Sequence, residues 1–432
     1  MAGFLGMRGT GSWATDQRPK SWREMILYLY PNGSAPLTAV LSKLSEESTT
    51  DPEYNWWTKT LPTQKATLTA FGAQADGDTG AVSGTAAAGT VIYGTCAEAD
   101  ADQFREGHQA LLRDTTDTAK DTNAKVVSVV KAGAASVIGF KLLEENNGLT
   151  DTILTTSGVA LIIGNVNAEG ASSPSAIGYD PVKYTNYTQI FRTPLQISRT
   201  ARATKLRTGD AYKELKREAL ELHSIEMEKA FIHGVKSETT GSTGLPERTT
   251  DGLINFIQTT VPGNVLDHTN DTDLAALTSF TSGASTWATT GEEFLDAALE
   301  QIFRYGSSEK VIFCGSGALL GIQRLAKLGG QIQLSPKSEA YGMKVVEWIT
   351  PFGVVYLKTH PLFSYESNTR NWGLVVEPEK LKYRFIDDTK FSDVTPVGQD
   401  GTKEEFLTEC GLELHHPESF GILKGIGLDN AA

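Results

Sequence analysis

The chain has 432 residues, 40% of them hydrophobic and 21% charged, enough for about three structural units. That balance excludes a disordered tail, a collagen-like rod and a simple coiled coil. With 39 basic against 52 acidic side chains the net charge is −13, a sign that repels phosphates at short range and argues against sequence-independent DNA binding.

Residues 1–50 read as an arm. Trp13, Trp22, Met25, Ile26, Leu27 and Tyr28 are large apolar residues without a local partner segment. Pro31–Ser34 signals a turn, and Pro36–Leu44 has the spacing of a short amphipathic helix. Such a segment buries its aromatic area on another part of the chain or on another subunit. Beyond Tyr54-Asn-Trp-Trp57 the stretch Ala73–Gly94 is rich in Gly, Ala and Thr and reads as an extended, flexible loop. Short β-prone runs follow at Phe104–Arg113, Lys125–Lys131, Val137–Leu143 and Val159–Ile163. Their spacing predicts a small all-β module, a barrel being one form it could take.

Tyr184–Arg192 and Leu195–Arg199 read as strands leading into the strongest helix of the chain, Ala211–His233. Asp210 suits its N-cap and Gly234 its stop. Tyr212, Leu215, Ala219, Leu222 and Ala230 form its expected apolar stripe, with Glu226 interrupting it. At 1.5 Å per residue the helix is about 35 Å long, more a strut than a buried core element.

The later half turns α/β. Thr290 and Glu293 fit a capping box for a helix over Gly291–Tyr305. Lys310–Cys314 reads as a strand, and Ser316 as the cap of a helix ending at Leu328. Strands at Lys344–Ile349 and Val354–Lys358 turn at Pro351–Gly353. Trp372–Val376 and Leu381–Ile386 suggest a further hairpin-like pair. In Glu405–His415, Phe406, Thr408, Cys410, Leu412 and Leu414 alternate with polar residues, the pattern of a long half-buried strand.

Chemical motifs are weak. Gly315-Ser-Gly-Ala-Leu-Leu-Gly321 follows a strand and opens a helix, as a phosphate loop does, but its spacing is GxGxxxG and a tight turn is the plainer reading. Ser128 and Lys131 match SxxK on a strand, where they point to opposite faces. His415-His416 would need distant ligands to hold a metal, and the alternating acids Glu98, Asp100 and Asp102 lack any calcium-loop pattern. Catalytic, cofactor and metal sites are therefore expected to be absent. Cys96, Cys314 and Cys410 have no CxxC spacing, so a disulfide framework is not expected and a reducing compartment fits. The longest apolar runs are far short of the ~20 residues of a membrane helix. Glu226, a carboxylate on an apolar line, is either a boundary residue or the partner of a cation on a neighbouring element or subunit.

The order of segments is more telling than any motif. The aromatic arm, Tyr54–Trp57, the Gly-rich loop, Asn186–Ile190, Ser198–Ala201, Arg207–Asp210, Glu214 with Met227–Ala230, and Glu409–Glu413 with His416-Pro417 occur collinearly. In this the chain resembles the major capsid proteins of tailed bacteriophages. The resemblance implies an α+β Hong Kong 97 capsid fold. Residues 1–50 would be the N-arm, 51–95 and 166–208 the extended loop, and 96–165 an inserted β module. Residues 209–290 and 366–432 would form the peripheral domain, with its spine helix at 210–233, and 291–365 the axial domain. It further implies hexamers and pentamers closing an icosahedral shell around double-stranded DNA, assembled in the host bacterial cytoplasm, with scaffold, portal and decoration proteins as further partners. Trp13, Trp22, Trp56, Trp57 and Glu226 are the candidate assembly residues. A nanocompartment shell of encapsulin type, or a soluble α/β enzyme using the Gly315–Gly321 turn, are the alternatives.

Overall fold

The computed structural model describes residues 46–59, 62–72, 86–114, 121–145, 158–170, 172–204, 210–281, 283–329, 334–335, 339–340, 343–344 and 346–430. Two compact units divide the chain, one formed by residues 59–182 and the other by the residues on either side.

Among its described residues the 59–182 unit pairs its strands antiparallel, with a four-residue helix at Glu98–Ala101 and a 3-10 turn at Gly133–Ala135. Its strands are ordered Lys65–Leu68, Gly158–Asn165, His108–Asp114, Asp121–Val130, Ser136–Leu142, Val91–Cys96 and Ala70–Gly72. The first and last of these are one stretch of chain split only at Thr69, whose amide donates to the carbonyl of Thr95. A sheet whose two edges are the same strand has no free edge: it is a barrel. Alternate side chains point inward, so Leu68, Ile92, Phe104, Leu112, Val126, Ile138 and Phe140 fill the interior. Phe140 meets Phe104 edge-on with ring centroids 6.5 Å apart. The unit is wider than 96–165. The stretches 65–72 and 91–95, expected in an extended loop, belong to three of its strands, and in Lys65–Leu68 and Val91–Cys96 every second side chain is buried. Ala73–Thr85, the most glycine-rich part of that expected loop, lies outside the described residues.

The other unit is built on two sheets. In the first, Glu46–Ser48 pairs in parallel with Leu381–Asp393, which forms a long hairpin with Thr402–Leu414, and Gln189–Ile197 lies on the far side. The terminal strand buries Phe406, Thr408, Cys410, Leu412 and Leu414 as its sequence pattern predicts, but it is not half-buried: Glu405 and Glu413 of the other face are buried too, paired with Arg192 and Arg384. The second sheet has seven strands in the order Val265–Asp267, Gly421–Lys424, Gly373–Val376, Glu309–Cys314, Gly353–Thr359, Val346–Thr350 and Leu334–Ser335. Its central strand is buried on both faces. Ile312 and Cys314 pack under the helices Trp287–Phe303 and Ser316–Gly329, while Val311 and Phe313 face Leu253, Phe256 and Phe363. Such two-sided burial explains why Val311–Cys314 reads as a continuous apolar run.

Three local expectations are corrected. Gly373–Val376 and Leu381–Asp393 are not a hairpin: they belong to different sheets, because the turn at Pro378–Lys380 redirects the chain. The helix expected from Gly291 begins at Trp287, one turn earlier, since the Trp287 ring is buried against Phe294 and its indole N–H donates to the carbonyl of Gly321 at 3.0 Å. Glu293 therefore cannot close a capping box, and instead accepts from the amide and hydroxyl of Ser279. Finally, strands at 265–267, 373–376 and 421–424, assigned by sequence to the peripheral domain, pair into the same sheet as 309–359.

Candidate assembly site

The long helix runs over Ala211–His233 as its sequence dictates. Asp210 Oδ1 accepts from the Tyr212 amide at 3.0 Å, and Gly234 ends the helix where a Cβ would lie 2.4 Å from the Ala230 carbonyl oxygen and 2.5 Å from that of Thr250. The buried face differs from the expected stripe. Ala219, His223, Met227 and Phe231 face the sheet at four-residue steps, whereas Leu222 is 54% exposed. The face is rotated because a polar residue, His223, is fully satisfied inside. Its Nδ1 lies 3.0 Å from Thr193 Oγ1 and its Nε2 lies 2.7 Å from Thr408 Oγ1. A pattern that counts only apolar residues places histidine outside. Burial holds His223 below the ordinary imidazole pKa, with Glu226 pulling the other way.

Glu226 lies at the edge of this seam, exposed, and accepts from Thr193 Oγ1 at 3.0 Å. Among the described residues its hydrogen-bonding partner is a hydroxyl and no cation pairs with it. Farther along the helix, Tyr212 Oη donates to Glu404 at 2.6 Å and the Lys216 ammonium sits 3.6 Å above the Phe391 ring.

Trp56 and Trp57 part company on the strand Glu53–Thr58, whose side chains alternate. Trp56 is buried, donates from Nε1 to the Leu414 carbonyl at 2.7 Å, and packs on Tyr184 and Phe256 with ring centroids 6.0 and 6.1 Å away. Tyr54 beside it donates to the Leu412 carbonyl at 2.8 Å, and burial raises its phenol well above the usual pKa. Asn186 Nδ2 also donates to that carbonyl, while its Oδ1 accepts from the Asp251 amide. These side chains pin the strand to the end of the terminal strand. Trp57 points the other way and is 60% exposed. Trp13 and Trp22 lie outside the described residues.

Two buried contacts of carboxylates escaped the sequence reading, since each joins residues more than 60 positions apart. Glu228 of the long helix meets His360 with no exposure on either side chain. Lys310 donates to the carbonyls of Tyr305 and Ser419 and faces Glu377 at 3.4 Å, also without exposure. Burial lowers the Lys310 pKa against the pull of Glu377.

The Gly315–Gly321 turn has no room for a phosphate. The amide of Gly315 donates to Trp372 O, that of Ser316 to Ser364 Oγ and that of Ala318 to Arg370 O. A Cβ on Gly315 would lie 2.2 Å from the Arg370 oxygen, and one on Gly321 would lie 2.6 Å from Gly427 Cα. The glycines let backbones touch. Among the described residues no three His, Cys, Asp or Glu side chains cluster as metal ligands. His415 contacts Glu413 instead, and His416 adopts a left-handed backbone before Pro417.

The family model for the SU10 major capsid protein matches residues 8–427. The chain belongs to that family. It is the major capsid protein of a phage, a component of the virion capsid whose shell is assembled from its own copies. The "Major capsid protein" of Pseudomonas phage PaMx41 is 24% identical over 450 residues, covering 99% of this chain and 97% of that protein. Among solved structures, a chain of Mycobacterium phage Bobi aligns over 95% of this chain and 96% of its own length, at 9% identity and a TM-score of 0.42. A chain of the SrpI encapsulin complex from Synechococcus elongatus aligns over 59% of this chain and 78% of its own, at 13% identity and a TM-score of 0.39. Family membership rests on the sequence matches.

For a capsid protein the informative surface is what one copy leaves uncovered. Trp57, Ile190, Leu222, Leu245 and Tyr365 are each more than half exposed. Scattered exposed apolar residues are ordinary on any protein surface.

Proposed function

We propose that copies of this chain form hexamers and pentamers that close an icosahedral shell around the double-stranded DNA of a tailed phage, without catalysis or a cofactor. The observation that carries this reading is the family match over residues 8–427, nearly the whole chain. Two features support it. The long helix carries outward-facing Leu220 and Leu222, and the 13-residue strands of the terminal hairpin end in a tip where Val397 is fully exposed. Both offer apolar area that the described residues of the chain leave uncovered. The net charge of −13 suits a container for DNA, since a basic wall would hold the incoming polymer.

In this reading residues 1–50 act as the N-arm, and 59–182 is the β module inserted in the extended loop. The four-stranded sheet with the helix Ala211–His233 is the peripheral domain. The seven-stranded sheet and the helices packed on it are the axial domain. Trp57 and Glu226 act at contacts between copies, as do Trp13 and Trp22 of the arm, while Trp56 holds the subunit itself together. Assembly takes place in the host cytoplasm, with scaffold, portal and decoration proteins as partners.

Electron microscopy of the expressed chain tests the reading. Closed shells are expected, and a protein that stays monomeric or dimeric at high concentration would refute it. Particles that carry enzymes in place of DNA would turn the assignment to a nanocompartment.

A further inference from the structure

Between the long helix and the sheet lies a chain of five polar groups whose direction can be worked out. Glu226, an exposed carboxylate, can only accept, so the single hydroxyl proton of Thr193 points to it across 3.0 Å. Thr193 Oγ1 must then accept from His223, which places a proton on Nδ1. In the neutral ring Nε2 is a bare acceptor and takes the Thr408 hydroxyl proton at 2.7 Å. Thr408 Oγ1 in turn accepts from Thr389, 2.9 Å away on the neighbouring strand. The order is Thr389, Thr408, His223, Thr193, Glu226, each donating to the next. Its two ends, Thr389 and Glu226, are exposed, while Thr408, His223 and Thr193 are buried.

We propose that His223 is an acid-sensitive latch on the long helix, held neutral in its Nδ1–H form by this one-way chain. A proton added at Nε2 meets the Thr408 hydroxyl head-on. Thr408 must turn its proton to Thr389, and Thr389 must turn its own to water. The ring then carries a positive charge with no direct anionic partner. The elements packed around it contribute Thr193 and Phe191 from one strand, Thr408 and Phe406 from the next, and Thr389 from the third. The charged groups of the seam are Glu226, reached through Thr193, with Lys216 at Phe391 and Glu404 at Tyr212 farther along the helix. A buried charge so placed favours separation of helix from sheet. Acid therefore loosens this contact, through an imidazole that lies buried inside one subunit.

The test uses the full-length chain labelled with 15N-histidine, the His223 signal being assigned by its loss in His223→Gln. At pH 7.5 the ring is expected to show the Nδ1–H form. Below about pH 6.5, hydrogen-exchange protection over residues 219–231, corrected for intrinsic rates, is expected to fall by up to tenfold per pH unit, the limit for one proton. His223→Gln is expected to flatten that response. Glu226→Gln, a change at an exposed position, is expected to move the ring titration to lower pH, and Thr408→Val to move it higher. An Nε2–H form at pH 7.5, a titration unmoved in Glu226→Gln, or an equal loss of protection in His223→Gln would each overturn the latch.

Discussion

Glu228 Oε1 and His360 Nε2 are 2.8 Å apart, with neither side chain reaching solvent. His360 Nδ1 accepts from the Leu362 amide at 3.2 Å, so its proton sits on Nε2 and is donated to Glu228. The contact ties the last turns of the long helix to the segment that opens the short helix Pro361–Tyr365. Removing the Glu228 carboxylate leaves the buried His360 N–H unpaired, at a cost of about 1–3 kcal/mol. Glu228→Ala is expected to lower stability by that order in denaturant titrations of the unassembled chain. Glu228→Gln, which keeps an acceptor, is expected to lose less, and equal losses would refute the account.

Trp56 and Trp57 are expected to separate folding from assembly. Trp56→Ala removes a buried indole and its hydrogen bond to Leu414, a loss of about 3–5 kcal/mol. Trp57→Ala touches an exposed side chain and is expected to change subunit stability by less than about 0.5 kcal/mol. If Trp57 lies between copies, the same variant lowers the yield of shells in sedimentation.

Glu413 gives a pH dependence of defined sign. Burial pushes its pKa up, but the contacts with His415 and Arg384 outweigh this and hold it below the ordinary carboxylate value. A lowered folded pKa contributes stability above the unfolded value of about 4.3, and that stability is lost as pH falls through the folded pKa. The wild-type melting temperature is therefore expected to drop below about pH 4.3. Arg384→Gln removes the main cation, so it is expected to lower the melting temperature at pH 7 and to flatten the acid limb.

The turn at Gly315–Gly321 is expected to be structural. Gly315→Ala places a methyl against the Arg370 carbonyl, a clash of about 1–3 kcal/mol or more. Nucleotides are expected to leave the melting temperature unchanged, and a shift that grows with ATP or NAD concentration would reopen the enzyme reading.

All three cysteines are free and buried, and burial pushes Cys96 up to about 11 and Cys314 and Cys410 up to about 12. Thiolate is the reactive form. A disulfide reagent at pH 8 is expected to titrate no thiol rapidly in the native chain and all three in guanidinium.

Local chemistry determined a good part of this protein from sequence alone. Asp210 and Gly234 bound the long helix because capping and the stop at a crowded backbone act within a few residues. The alternation of Phe406 to Leu414 shows because side chains on a strand repeat every two positions. Tertiary structure decided what depends on distant partners. Whether His223 turns in and Leu222 out rests on Thr193 and Thr408, which lie 30 and 185 residues away. Thr69 closes a barrel only because strands far along the chain bring its two edges together, and Gly373–Val376 leaves Leu381–Asp393 for another sheet because its hydrogen-bonding partners lie there. Periodicity records which positions are apolar, whereas a buried polar group is paid for by a partner that no local window contains.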